Sequence, residues 1–303
     1  LLTAPLLSFS GCGEIAARER PRPPILIVAL DGVPVRMTGL GGPTDARSYT
    51  PVLDQLAQDG LVYTRCLAPE PWSDTSLALA LGCGIKEVAT RYGAAAGSPV
   101  APVIVDDAPV QRVVLRGDDV DLLRFPALRY HADDAAEPYL SASIVVARDP
   151  ETGVANLSYH RMMIASRDTA AIYIEPGRHL DGIVGKYAAR GQDVPVAVFL
   201  GVHPAWSLGA LYAGSADVDE YDVIGGLLGA PLAVARCVLD PALRVPARAE
   251  FVLEGTICAT ERMREGPFGE FTGYGTGTTS SPVLRVAAIT HRESPIVQDI
   301  VSG

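Results

Sequence analysis

The part of the sequence that most constrains its folding is a turn flanked by two glutamates, Glu265 and Glu270. The turn reads Gly-Pro-Phe-Gly. Glycine allows unusual backbone angles and proline fixes its own, so the flanking side chains are held in a defined geometry. Earlier in the chain, Arg161 ends a segment that reads Asn-Leu-Ser-Tyr-His-Arg. Two carboxylates held near one guanidinium form a charged relay, in which one carboxyl can be poised to donate a proton.

The composition is that of a folded protein with a substantial core. The 303 residues are enough for one large or two ordinary domains, and 48% of them are hydrophobic. The net charge is −10 and no basic run occurs, which argues against a nucleic-acid partner because phosphate neutralisation needs clustered lysine and arginine. The five cysteines form no CxxC pair and no zinc spacing, so reduced thiols are expected.

Residues 1–22 are expected to be a disordered remnant of a signal or linker. Residues 1–12 look like the tail of a bacterial lipoprotein signal with Cys12 as the lipidated residue, but no initiator methionine or positive leading region accompanies them. The Pro-rich residues 20–24 indicate an extended linker. No apolar stretch is long enough to span a bilayer, so no membrane span is expected. The expected reduced thiols are typical of a cytoplasmic protein, which is the predicted location.

Residues 23–85 predict a small α/β segment. A buried strand over residues 25–30 ends at Asp31, residues 50–60 have the capping pattern of a helix, and residues 61–67 predict another strand. This segment resembles the opening of the sulfatase and alkaline-phosphatase superfamily, in which Asp31 would match a metal-binding aspartate and Ser73 the nucleophile. The later metal ligands have no counterpart, and one ligand cannot build a two-metal site. A structural segment is therefore favoured, and an ester hydrolase stays a second hypothesis.

From about residue 86 to residue 303 the chain resembles the UbiD family of reversible decarboxylases, which use a prenylated flavin. The resemblance rests on the Glu265–Glu270 turn, on residues 156–161 and on residues 99–111, 117–123 and 139–149. It implies an α/β (α+β) fold with a split β-barrel core that binds the flavin. Family members continue into a C-terminal domain, so the chain is expected to be a truncated or chimeric core.

Local patterns agree with that fold but do not specify it. Residues 221–228 predict a helix with apolar residues on one face, closed by Gly229. Short apolar strands are predicted over residues 251–255, 283–289 and 296–297. Periodicity alone indicates only mixed α and β structure.

The resemblance also implies a cofactor and a cation set. The cofactors are prenylated FMN, Mn²⁺ (or Mg²⁺) and K⁺, and hard cations take oxygen ligands with at most one imidazole. The implied metal ligands are Asn156, His179 and Glu220. The implied cofactor-binding residues are Asn156, Ser158, Tyr159, His160, Arg161, Arg178, His179 and Glu220. Each of these residues alone is as consistent with an ordinary turn, core or surface position.

The catalytic residues that the resemblance implies are Arg161, Glu265 and Glu270. Glu270 is the expected general acid, Arg161 holds the substrate carboxylate or orients Glu270, and Glu265 pairs with Arg161. In the implied reaction the prenylated flavin adds to an aromatic or α,β-unsaturated acid, carbon dioxide leaves, and Glu270 protonates the carbon left behind. The expected partners are this small-molecule acid, a flavin prenyltransferase that supplies the cofactor, and further copies of the chain. A non-catalytic fragment that binds flavin or nothing is the third hypothesis.

Overall fold

The structure, a computed structural model, describes residues 25–30, 74–270 and 274–301. Several expectations lie outside these residues. They are the disordered leader of residues 1–22, the helix of residues 50–60, the strand of residues 61–67, and the positions of Cys12, Asp31, Cys66 and Ser73. The ester-hydrolase hypothesis depends on Asp31 and Ser73, so it stays a prediction. The described cysteines, Cys83, Cys237 and Cys258, are free thiols.

The described residues form strands throughout, with helices placed between them. The strands are β1 (Ile25–Leu30), β2 (Val103–Ile104), β3 (Val113–Arg116), β4 (Tyr139–Leu140), β5 (Ile144–Arg148), β6 (Ala155–Tyr159), β7 (Met162–Ile164), β8 (Thr169–Ile172), β9 (Val194–Leu200), β10 (Ala233–Arg236), β11 (Arg244–Pro246), β12 (Phe251–Glu265), β13 (Phe268–Gly269), β14 (Gly275–Thr276), β15 (Thr279–His291) and β16 (Ile296–Val301). The α-helices are α1 (Asp74–Leu81), α2 (Val88–Ala95), α3 (His179–Ala189), α4 (Pro204–Ala210) and α5 (Glu220–Leu228). Short 3₁₀ turns occupy Ile85–Glu87, Pro109–Gln111, Gly117–Asp119 and Leu122–Arg124.

The main sheet of the described residues has nine antiparallel strands, in the order β4-β7-β8-β15-β12-β9-β5-β6, with β3 paired to β15 beside that path. Its central strands are buried on both faces. In β5, Ile144 and Val146 pack in one hydrophobic cluster, whereas Val145 and Ala147 pack in another on the opposite face. Successive side chains of a strand point to opposite faces, so a continuous apolar run such as that of β5 fits a sheet covered on both sides.

The two longest strands, β12 and β15, run further than the sequence predicted. Only the first half of β12 is apolar, and that half pairs with β9 and β15 together. The second half is polar and pairs with β15 alone, so its pattern gave no signal of a buried strand. The register of β12 against β15 shifts after Glu254 and again after Ile257. At the first shift Gly255 is required, because a Cβ there would overlap the Arg285 carbonyl oxygen.

The predicted helix over residues 221–228 is confirmed as α5. Asp219 caps its start by accepting a hydrogen bond from the Tyr221 amide, and Gly229 ends it with φ of +66°, a left-handed conformation that glycine favours. Trp206 of α4 stands edge-on between Phe199 of β9 and Tyr221 of α5, at centroid distances of 5.6 and 5.7 Å. This aromatic stack joins both helices to one face of the sheet.

The strand predicted over residues 25–30 is confirmed as β1, which pairs in parallel with β16. Leu77, Ala78 and Leu81 of α1 pack in the same cluster as α4 and α5. The division of the chain at residues 22 and 85 stays a prediction. Among the described residues, no helix is both long and apolar enough to cross a membrane.

Candidate active site

Arg161 lies in the connection between β6 and β7, and its side chain is only 10% exposed. Its guanidinium is held by Glu265 on one side and Glu270 on the other, and it lies over the rings of Tyr173 (4.2 Å) and Phe268 (4.8 Å). Burial alone would lower the pKa of Arg161. The hydrogen bonds and charge of Glu265, with the charge of Glu270, outweigh that effect and raise the pKa. The Arg161 guanidinium is therefore held in position and stays protonated.

Glu265 ends β12, and its side chain is completely buried. Its Oε1 accepts hydrogen bonds from Arg161 Nε at 2.9 Å and from Tyr139 Oη at 3.1 Å. Its Oε2 accepts from Arg161 Nη2 at 3.2 Å and from Thr279 Oγ1 at 2.9 Å. An ionised carboxylate is an acceptor only, and four donors surround this one. Burial and the charge of Glu265 raise the pKa of Tyr139, so Tyr139 remains a donor.

Glu270 differs sharply from Glu265, although only five positions separate them. Its carboxylate binds Arg161 Nη1 at 2.5 Å and its side chain is 34% exposed. Within the described residues its second oxygen has no hydrogen bond. A short charge-assisted bond on one oxygen and an open second oxygen leave Glu270 able to meet a bound molecule.

The turn between the two glutamates is held by hydrogen bonds to the loop that precedes β4. Asp134 Oδ1 accepts from the Gly269 amide at 2.7 Å, and the Ala135 amide donates to the Pro267 carbonyl at 2.8 Å. Gly266 has φ of +88°, and a Cβ there would lie 2.6 Å from the Gly277 carbonyl oxygen. The ring of Phe268 packs between Tyr130 and Tyr139. The turn therefore has the rigidity that the sequence predicted.

A second group of polar side chains, Asn156, Ser158 and His160, lies along β6 and just after it. We call these three residues together with Glu220 of α5 the candidate metal region. Asn156 Nδ2 donates to Ser158 Oγ at 3.0 Å, and Ser158 Oγ lies 2.8 Å from His160 Nε2. His160 Nδ1 lies 2.8 Å from the Tyr173 carbonyl oxygen. Burial lowers the pKa of His160 to about 4, so the imidazole is neutral.

Glu220, the first residue of α5, is 2% exposed. Its Oε2 is buried without a hydrogen-bond partner in the described part of the chain. The helix that it begins, α5, packs against β6. Burial raises its pKa to about 8, and the nearby Asp219 adds to the rise. Buried carboxylate oxygens are rarely left unpaired. A hard cation would satisfy this one, so these residues fit a divalent metal.

The remaining predicted residues, His179 and Arg178, lie at the start of a helix that packs against β6, but no hydrogen bond among the described residues links them to the candidate metal region. His179 is the first residue of α3, which packs against β6, and Arg178 is the residue before it. Neither side chain makes a hydrogen bond or ion pair within the described ranges, so no contact ties His179 to Asn156 or Glu220. The described residues contain no group of three His, Cys, Asp or Glu side chains that could hold a metal. The predicted ligand set has only two such residues, because its third member is an asparagine.

Tyr159 ends β6, and its hydroxyl donates to Ser207 Oγ of α4 at 2.6 Å. Burial raises its pKa to about 12, so the hydroxyl is neutral. The structure thus brings together Arg161, Glu265 and Glu270 as one group. It joins Asn156, Ser158 and His160 by hydrogen bonds as a second group, and Glu220 begins the helix that packs against their strand.

Sequence reasoning missed several residues that hold the arginine and its turn. They are Asp134, Tyr139, Tyr173, Thr276 and Thr279. Thr276 Oγ1 accepts from Arg161 Nη2 at 3.2 Å and donates to the Phe268 carbonyl at 3.1 Å. Nothing in their local patterns marks these residues. The pairing of β12 with β15 places Thr279, the pairing of β4 with β7 places Tyr139, and the pairing of β13 with β14 places Thr276.

Comparison with known proteins identifies the class to which this fold belongs. The family profile described as "3-octaprenyl-4-hydroxybenzoate carboxy-lyase Rift-related domain", UbiD, matches residues 103–303. The chain belongs to the UbiD family, and the expected mixed α/β fold with a split-barrel core is confirmed by structures of this class.

Particular relatives narrow the comparison. The phenolic acid decarboxylase of Streptomyces sp. (strain D7) is 33% identical over 244 residues, which cover 77% of this chain and 50% of that protein. The UbiD-class enzyme HmfF from Pelotomaculum thermopropionicum, solved in complex with FMN, is 37% identical with a TM-score of 0.72, over 76% of this chain and 52% of that one. An evolved dimeric form of HmfF, solved with prFMN, has the same identity and TM-score and covers 76% and 54%. The chain spans about half the length of the curated relatives it matches.

Proposed function

We propose that this chain provides the prenylated-FMN-binding core of a reversible, non-oxidative decarboxylase of aromatic or α,β-unsaturated carboxylic acids. The observation that carries the proposal is the asymmetry around Arg161. One carboxylate, Glu265, is buried with four donors, and the other, Glu270, is partly exposed with one. The solved complexes of HmfF with FMN and prFMN, and the decarboxylase from Streptomyces, support the cofactor class and the reaction class.

When bound, prenylated FMN supplies the electron-accepting ring system that allows carbon dioxide to leave the acid. The chain's own residues bind, orient and protonate. Arg161 holds the substrate carboxylate or orients Glu270 through a planar, permanently charged fork. Glu265 and Tyr139 keep that fork from moving. Glu270 delivers the proton from its carboxyl to the carbon left behind, and Phe268, packed between Tyr130 and Tyr139, keeps water from one side of the turn.

The cofactor phosphate and its cations are assigned to residues around β6 and α3. Asn156, His179 and Glu220 would hold Mn²⁺ (or Mg²⁺), and the unpaired Glu220 Oε2 is the observation that supports a cation there. Arg178 is exposed and without an ion pair among the described residues, so it is free to bind phosphate. Ser158, Tyr159 and His160 would line the flavin, and K⁺ would lie beside its phosphate. A flavin prenyltransferase would supply the cofactor, and self-association is proposed by analogy with the dimeric form of HmfF.

The test is turnover by the full chain co-expressed with a flavin prenyltransferase and Mn²⁺. A panel of cinnamic-type, hydroxybenzoic and heteroaromatic acids is followed by release of carbon dioxide and by exchange of solvent deuterium into the product. Glu270→Gln should lower turnover by about 10²- to 10⁴-fold, the usual contribution of a general acid, while the flavin stays bound. Glu261→Gln, an exposed glutamate on β12 that pairs with Arg285, is the matched control and should leave turnover unchanged.

Two results would overturn parts of the proposal separately. Full turnover by Glu270→Gln would remove Glu270 as the proton donor. Bound prenylated FMN without turnover of any acid would remove the catalytic part and favour the non-catalytic alternative. Folded protein that binds no flavin at all would remove the proposal entirely.

A further inference from the structure

The three polar side chains on β6 and just after it follow one another at every second position: Asn156, Ser158 and His160. In a strand, residues two apart lie on the same face, so the three side chains line up along it. The distances of 3.0 Å from Asn156 to Ser158 and 2.8 Å from Ser158 to His160 are those of direct hydrogen bonds. Both ring nitrogens of His160 are engaged, because Nδ1 lies 2.8 Å from the Tyr173 carbonyl.

The direction of each bond in this row follows from its chemistry. A carbonyl oxygen only accepts, so Nδ1 of His160 carries a proton and donates to Tyr173. His160 is neutral, which leaves Nε2 as an acceptor. The single hydroxyl proton of Ser158 is then donated to His160, and Ser158 Oγ can only accept from Asn156. The hydrogen-bond network therefore requires the Asn156 amide to turn its NH₂ group to Ser158.

With its NH₂ group turned to Ser158, the Asn156 amide has its oxygen, Oδ1, free for another partner. Asn156 Oδ1 makes no hydrogen bond within the described ranges, and Glu220 begins α5, which packs against β6. Glu220 Oε2 is also unpaired in the described part of the chain. Had the amide the opposite orientation, it would present two N–H donors to the cation, which repel it. Carbonyl and carboxylate oxygens are the ligands that hard cations select.

We propose that Ser158 and His160 are positioning residues, which fix the Asn156 amide so that its oxygen is the cation ligand. This inference rests on the proposed function, since it needs a cation at Glu220. It assigns His160 a role through Ser158 and Asn156 rather than by contact with substrate. Residues that orient metal ligands typically change metal affinity by about 10- to 100-fold when they are removed.

The experiment measures Mn²⁺ affinity of the full chain in the presence of FMN, from the loss of the free-Mn²⁺ electron paramagnetic resonance signal. Ser158→Ala removes the hydroxyl, and the expected result is about 10- to 100-fold weaker Mn²⁺ binding. Ser158→Thr keeps the hydroxyl and is expected to stay within a few-fold of the wild type. His160→Leu removes both ring nitrogens and should weaken binding like Ser158→Ala. His160→Gln keeps an acceptor near the position of Nε2 and should restore much of the loss.

The same variants made in an Asn156→Asp protein separate a loss of amide orientation from general damage to the strand. Asn156→Asp replaces the amide by a carboxylate with two equivalent oxygens, so its orientation no longer matters. In that background Ser158→Ala should cost less than about 3-fold in Mn²⁺ affinity, whereas damage to the strand would cost the same in both backgrounds. Circular dichroism of each variant checks folding, and the pair His160→Leu and His160→Gln carries the test if Ser158→Ala does not fold.

The outcomes distinguish this inference from the function on which it rests. Wild-type binding of Mn²⁺ with unchanged affinity in Ser158→Ala and His160→Leu would overturn the positioning role and leave the decarboxylase proposal standing. Absence of Mn²⁺ binding by the wild type, at any FMN concentration, would overturn both the cation site and the positioning role. Equal losses in the wild-type and Asn156→Asp backgrounds would also overturn the positioning role, because a structural role predicts that result.

Discussion

The group around Arg161 lies just past the end of β6, whereas the candidate metal region runs along β6 to His160 and includes Glu220 at the start of α5. The two groups differ in how far their hydrogen-bonding capacity is used. Around Arg161, the buried carboxylate of Glu265 has four donors and the guanidinium has two carboxylates and two aromatic rings. In the candidate metal region, Glu220 Oε2 has no donor within the described part of the chain, and burial is the largest cause of the raised pKa of this carboxyl.

This difference separates a site that is complete without a ligand from one that is not. Buried charges are tolerated when they are paired, and a buried unpaired carboxylate prefers its proton. The Arg161 group should therefore stabilise its own geometry in the free protein. Once Glu220 loses its proton, the candidate metal region should keep its stability only if a cation takes the place of that proton.

The largest effect on the free energy of unfolding should come from ionisation of Glu220 in the metal-free protein. Its pKa is raised from 4.5 to about 8 by folding, so its stabilising contribution is complete below pH 4.5 and is lost as the pH rises through about 8. At about 1.36 kcal/mol per pKa unit, the loss amounts to at most about 5 kcal/mol. Glu220→Gln should therefore be more stable than the wild type at pH 8 and lack this pH dependence. Urea unfolding of both proteins from about pH 4.5 to pH 9, without metal, measures the difference.

Added Mn²⁺ with FMN is the control for that prediction. It should raise the unfolding free energy of the wild type at pH 8 and leave that of Glu220→Gln nearly unchanged, because ligands stabilise only the state they bind. Parallel pH profiles for the two metal-free proteins would contradict an unpaired Glu220.

The next largest effect on the free energy of unfolding should come from removing one charge of the Arg161–Glu265 pair. Arg161→Met leaves Glu265 buried without its cation, and removing one partner of a buried pair costs about 3–5 kcal/mol of unfolding free energy. The double variant Arg161→Met with Glu265→Met removes both charges and should recover much of that loss. Equal stability of the single and double variants in urea would mean that Glu265 is not charged in the folded protein.

A smaller effect is expected from the brace on the Gly-Pro-Phe-Gly turn. Asp134 accepts from the amides of Gly269 and His131 at 2.7 and 2.8 Å, so Asp134→Ala should cost about 2–3 kcal/mol, as hydrogen bonds to charged groups do. Amide hydrogen exchange at residues 266–270 should quicken in this variant more than exchange in β9. Uniform quickening across the sheet would argue against a local brace.

The smallest losses of stability are expected from the two threonines beside Arg161, and the two losses should differ. Thr279 donates to the buried Glu265 at 2.9 Å, so Thr279→Val should cost about 1.5–2 kcal/mol. Thr276 accepts from Arg161 Nη2 at the longer distance of 3.2 Å, and Thr276→Val should cost about 0.5–1 kcal/mol. Urea midpoints with equal slopes measure both, and the reverse order would argue against Glu265 as the buried charge that Thr279 stabilises.

Some parts of the fold and the site could be predicted from the sequence, for physical reasons. Helix α5 has its cap residues at both ends, and β1 is one apolar run, so local patterns specify them. The Glu265–Glu270 turn carries its own rigid residues, and Arg161 follows a recognisable segment. These features depend on residues near each other in the chain.

Other parts depend on distant pairing and could not be predicted. The polar half of β12 is a strand only because β15 is beside it, and this pairing brings Thr279 to Glu265. Tyr139 reaches Glu265 because β4 pairs with β7. The positions of His179 and Arg178 relative to Asn156 depend on how α3 packs on the sheet, so their predicted roles rest on the family resemblance.

The aromatic stack of Phe199, Trp206 and Tyr221 has an optical consequence. Trp206 precedes Ser207, which holds the hydroxyl of Tyr159, a residue proposed to line the flavin. Tryptophan emission overlaps flavin absorption, so a flavin bound at Tyr159 should quench the fluorescence of Trp206 by energy transfer. With the other tryptophan, Trp72, changed to phenylalanine, this chain would carry its own internal reporter of cofactor loading, readable without any added label.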